Sequence, residues 1–170
     1  MQWQVGKIEY YVKIPNIILR SIVQGLYWIL IYLLNSGSQG WFVIESLHSP
    51  GLVLAIDGGR RGGRAIIYPK NGGDNQLWQW RGMALVSKSG YALDIKDGNR
   101  APGTNAIPWD HHGGINQQWT VQGDKIISSL NGLCLDIKNG SKAAGSEIIL
   151  WQPQHGVINN QCWKLVFYFG

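Results

Sequence analysis

The chain has 170 residues, 45% apolar and 15% charged, with 23 Gly, 6 Pro and 9 Trp; this composition excludes a disordered chain, and the wealth of turn-formers excludes long helical bundles. Its net charge of +5 comes from charges scattered singly apart from one cluster, Arg60, Arg61 and Arg64, without the dense basic stripe that nucleic-acid binding wants. Such a length suits one domain of ordinary size, able to bury roughly two-thirds of its unfolded surface.

In chain order, residues 1–38 come first and differ from the rest. Ile22–Leu34 reads IVQGLYWILIYLL, too short for the ~20 apolar residues of a membrane-spanning helix. Lys7, Lys13 and Arg20 precede this run, and Ser36 and Ser38 follow it, as in a secretory signal peptide. Retained as an anchor, residues 14–34 would bring the chain to a membrane; cleaved as a signal they would make it secreted, and otherwise it is cytoplasmic. The alternative is a gene-model artefact after the tail of a preceding repeat, because Trp3-Gln-Val-Gly-Lys-Ile8 resembles Trp119–Ile126. A second unit is expected over residues 39–170.

Four short strands are expected next, at Trp41–Glu45, Leu52–Ile56, Ala65–Tyr68 and Leu77–Trp80. They are β-branched or aromatic and parted by turns such as Asn71-Gly-Gly-Asp74. The basic stretch Arg60, Arg61 and Arg64 falls in one of these turns and reads as a flexible, solvated loop. The same order then recurs twice. Asn75-Gln-Leu-Trp78, Asn116-Gln-Gln-Trp119 and Asn160-Gln-Cys-Trp163 lie 41 and 44 residues apart. Upstream of each stands a G-x-x-L motif, at Gly51–Leu54, Gly90–Leu93 and Gly132–Leu135. Between the two lies an apolar run closed by an aromatic: Tyr68, Trp109 and Trp151. Three repeats follow, about 41–82, 83–124 and 125–170.

Twelve short strands at near-regular spacing imply a closed all-β architecture, since units that are unstable alone must hide their edges. The Trp of each N-Q-x-W motif is expected to fill the shared core, and the Gln to satisfy backbone groups of the turn. Residues 41–170, on these three motifs in register, resemble the ricin B-chain-like (R-type) β-trefoil lectins, also classified as carbohydrate-binding modules. The resemblance implies a six-stranded barrel capped by three hairpins, with pseudo-threefold symmetry. It also implies a shallow pocket for galactose or N-acetylgalactosamine in each repeat, and glycans or glycoconjugates as partners.

A saccharide presents vicinal hydroxyls and one apolar face. A carboxylate accepts hydroxyl protons, an amide fixes orientation and a flat ring stacks on C–H bonds. The resemblance places these groups at the residue after G-x-x-L, three residues further on, at the aromatic, and at N-Q-x-W. The second repeat supplies Asp94, Asp97, Trp109, His112, Asn116 and Gln117. The third supplies Asp136, Asn139, Trp151, Asn160 and Gln161, with a longer loop before Asn160 that holds Gln154 and His155. The first is degenerate: Tyr68, Asn71, Asn75 and Gln76 remain, but Ala55 and Gly58 replace the two polar residues. Asp57 substitutes there only if no bulge intervenes.

A glycosidase needs two carboxylates straddling one bond, whereas Asp94 and Asp136 belong to different thirds of the barrel. No nucleophile elbow, zincin or phosphate-loop motif appears. The chain therefore reads as non-catalytic, needing no cofactor and no metal. Cys134 and Cys162 lack metal-ligand spacing and read as small apolar core residues. Asn139-Gly-Ser141 is a glycosylation sequon, and a glycan there would block the third pocket. Two other readings stand beside the lectin: a trefoil scaffold that binds proteins, and the targeting module of a glycoside hydrolase.

Overall fold

Twelve strands form where apolar and β-branched residues alternate between glycine-rich turns. A computed structural model describes residues 40–154 and 159–167. Every reading of residues 1–38 lies outside the described residues, and so does His155. The strands are β1 (Phe42–Ser46), β2 (Leu52–Ile56), β3 (Ala65–Pro69) and β4 (Trp78–Arg81); then β5 (Ala84–Ser87), β6 (Ala92–Ile95), β7 (Ala106–Trp109) and β8 (Trp119–Gln122). The third repeat contributes β9 (Lys125–Ser128), β10 (Cys134–Ile137), β11 (Ile148–Trp151) and β12 (Trp163–Phe167). The expected strands of the first repeat are met to within one residue at each end.

Six strands close a barrel. Strand β1 pairs with β12 and β4, β4 with β5, and β8 with β9, all antiparallel. The ring is completed by the Ala84–Gln118 bridge between β5 and the start of β8, and by the Trp163 N–H donating to the Asp124 carbonyl at 2.7 Å. The other six strands make three hairpins, β2–β3, β6–β7 and β10–β11. The fold is the β-trefoil expected.

The three motif tryptophans lie in the core, and each indole N–H donates to the backbone of its own G-x-x-L leucine. Trp78 reaches the Leu54 carbonyl at 3.1 Å, Trp119 that of Leu93 at 3.0 Å, and Trp163 that of Leu135 at 3.1 Å. A large ring is thereby buried with its one polar atom satisfied. These bonds tie the barrel to the base of each hairpin, where the candidate site residues are carried.

Candidate functional site

The register of β6 and β7 decides which side chains share a face. Asp94 lies opposite Ile107, and Ala92 opposite Trp109. Directly opposed residues point the same way, so Asp94 and Trp109 are diagonal neighbours on one face. They line a hollow of about 190 Å³ together with Asp97, Gly98, Ile107, His112 and Asn116. This is smaller than the ~300–1,000 Å³ of deep ligand clefts, a size for one small ring.

Asp94 is only 3% exposed and is held on both oxygens. The Asn116 side-chain amide donates to Oδ1 at 2.8 Å, and that of Gln117 to Oδ2 at 2.7 Å. His112 Nε2 approaches Oδ2 at 3.3 Å, while its Nδ1 accepts the Gly114 N–H at 3.1 Å. Because Nδ1 accepts, the ring proton sits on Nε2 and is donated to Asp94. A carboxylate offers about four lone-pair directions, so these three donors leave one open. Asp97 projects from a 3-10 turn with φ of 56°, a left-handed conformation that Asp and Asn tolerate better than most residues.

Gln117 departs from the expectation of pocket contact. It is completely buried and does not line the hollow. Its amide donates to Asp94 and to the Asp110 carbonyl, and its oxygen accepts the His112 N–H. Gln161 is corrected in the same way: wholly buried, it donates to Asp136 Oδ2 and the Gln152 carbonyl and accepts the Gln154 N–H. Both glutamines hold a carboxylate and a turn in place from behind.

The third repeat reproduces the frame. Asp136 faces Ile149, and Cys134 faces Trp151, so carboxylate and indole again share a face. Asn160 donates to Asp136 Oδ1 at 2.7 Å and Gln161 to Oδ2 at 2.9 Å, which leaves about two lone-pair directions open. Trp151 is 42% exposed, and Asn139 repeats the left-handed turn with φ of 61°. Burial pushes the Asp136 carboxyl above its ordinary range, and the Gln161 and Asn160 bonds, His48 and Lys125 pull it back only in part.

In the first repeat Ala55 holds the register of Asp94 and Asp136, opposite Ile66. The Asn75 amide, with no carboxylate to meet, donates to the Ile56 carbonyl. Gln76 keeps only its turn bonds, to the Pro69 carbonyl and from the Asn71 N–H. Tyr68 is exposed. Asp57 does not substitute: it stands in a 3-10 turn and accepts from Arg64 Nε at 3.0 Å.

Two neighbours escaped the sequence reading because each comes from another strand or repeat. His48, in the β1–β2 turn, reaches across to the Gly140 carbonyl at 3.0 Å, beside the Asn139 turn. Lys125, largely buried, stands where the other repeats have Val43 and Ala84, and its Nζ lies 3.7 Å from Cys162 Sγ. The loop expected to be solvated is exposed at Arg60, Arg61 and Arg64, and two of its arginines also make contacts that the sequence did not signal. Arg64 pairs with Asp57, while Arg61 stacks 3.7 Å from the Trp109 ring centroid and bonds Asp110 at 2.7 Å. No motif could have signalled these contacts. Cys134 and Cys162 are free and buried.

Against known proteins, the family model for the ricin-type beta-trefoil lectin domain matches residues 40–163. The chain belongs to that family of carbohydrate-binding domains. A designed threefold-symmetric protein, ThreeFoil, is 33% identical, covers 75% of this chain and 98% of its own, and superposes with a TM-score of 0.68. The C-half of an earthworm R-type lectin, in complex with GalNAc, is 28% identical over 76% of this chain and 99% of its own, at 0.62. An exo-β-1,3-galactanase from Clostridium thermocellum is 31% identical over 78% of this chain at 0.68, and the match spans only 31% of the enzyme.

Proposed function

We propose that this chain is a non-catalytic lectin that holds galactose- or N-acetylgalactosamine-type glycans in the shallow hollows of its second and third repeats. One observation carries the reading: in both repeats an aspartate held by an Asn and a Gln amide shares a face with an indole. The open carboxylate directions accept sugar hydroxyls and the indole takes the C–H face. The N-acetylgalactosamine bound to the earthworm lectin supports the sugar class. Asp94 and Asp136 each serve their own hollow, so no pair straddles one glycosidic bond. A single site of this size binds at about 4–6 kcal/mol, in the millimolar to high-micromolar range.

The test is glycan-array binding or agglutination with galactose as competitor. The Asp94→Ala/Asp136→Ala double variant is expected to lose most of it, and an unchanged double variant overturns the assignment. The likeness to part of an exo-β-1,3-galactanase favours a second reading, in which the same sites target a glycoside hydrolase to galactan.

A further inference from the structure

The β2–β3 loop of the first repeat reaches Trp109 of the second, a contact given no role in the site so far. Arg61 lays its guanidinium against the Trp109 ring, Cζ 3.7 Å from the centroid, and its Nε donates to Asp110 Oδ2 at 2.7 Å. Trp109 lines the hollow and Arg61 does not, so the cation covers the ring from outside it. The next residue, Gly62, closes in further. Its N–H donates to the Pro108 carbonyl at 2.8 Å, and a Cβ there would stand 3.2 Å from Trp109 Cζ3. With φ of 68°, the position suits glycine on conformational grounds as well.

We propose that Arg61, although it belongs to the degenerate first repeat, is a positioning residue for the second repeat's site: it clamps the rear of Trp109 so that the front face is presented flat to a saccharide. This inference rests on the lectin reading above. Asp110 follows Trp109 directly, so its ion pair ties the guanidinium to the backbone that carries the ring. The paired charge is close to neutral, and the effect is therefore one of position rather than of field. A ring already held in place loses less freedom on binding. The third repeat is the internal comparison. There a Cβ at Gly103 would likewise stand 3.5 Å from Trp151 Cζ3, and its N–H donates to the Leu150 carbonyl, but Pro102 stands where Arg61 stands.

N-acetylgalactosamine is titrated into the Asp136→Ala chain, which leaves the second repeat alone to bind, with and without Arg61→Ala or Arg61→Lys. Arg61→Ala is expected to raise Kd about two- to fivefold, the scale of an exposed cation–π contact. Arg61→Lys, which keeps the ion pair but not the flat stack, recovers part of this. In an Asp94→Ala chain, where only the third repeat binds, Arg61→Ala is expected to change nothing. Trp151→Ala replaces Asp136→Ala if that variant does not fold. An unaltered second-repeat Kd, or an equal loss in both repeats, overturns the clamp alone. Absence of binding in both backgrounds with Arg61 intact overturns the lectin reading and the clamp with it.

Discussion

At the scale of single residues, the two carboxylates differ in what surrounds them. Asp94 meets His112, which donates from Nε2, while Asp136 is opposed by desolvation that its amide partners do not offset. The sign is direct: a raised pKa means Asp136 takes up its proton at a higher pH than an ordinary carboxylate near ~4. Protonation removes acceptor directions that sugar hydroxyls need. In an Asp94→Ala chain, binding by the third repeat is therefore expected to be present near neutrality and to fall off on acidification before the pH reaches ~4. A titration of affinity against pH checks it, and a flat profile down to that pH would remove Asp136 from the site. Asn139 and Asp97 illustrate how much of this scale a sequence reveals. Their spacing after G-x-x-L was legible, whereas the left-handed backbone that turns them outward belongs to the 3-10 turn and has no side-chain signature except the Gly58 that replaces them.

At the scale of elements, two kinds of tryptophan do different work. Trp119 is buried in the core with its N–H bonded to Leu93, whereas Trp151 ends β11 partly exposed. Trp119→Ala is expected to cost about 3–5 kcal/mol of stability, the range for large aromatics removed from a core. Trp151→Ala is expected to stay within about 0.5 kcal/mol, yet to remove binding by the third repeat. Denaturant unfolding beside a sugar titration separates the two effects. The strands and the core tryptophans could be read from the sequence because a repeated pattern reports burial three times over. At Gln117 and Gln161 the expected turn bonds are met while the expected pocket contact is not, since recurrence beside a site does not say which side of the carboxylate a residue occupies. Contacts between repeats, such as Arg61 on Trp109 or His48 on Gly140, depend on which loops the barrel brings together. Periodicity carries no trace of them.

At the scale of the whole molecule, the proposed sites of the second and third repeats, each weak and carried on one rigid frame, would gain from effective concentration on a multivalent surface. Asp94→Ala and Asp136→Ala singly are expected to retain sugar binding in solution but to lose agglutination, because each leaves one hollow. Agglutination that survives either single variant would require a third hollow or an oligomer. The three hairpins also lean on one another in a ring: Gly62 donates to Pro108, Gly103 to Leu150 and Gly145 to Ile67. A lobe without its own carboxylate is therefore not dispensable, because the next lobe around the axis depends on its loop. Selection can silence a pocket in such a ring while still being obliged to keep the lobe that bore it.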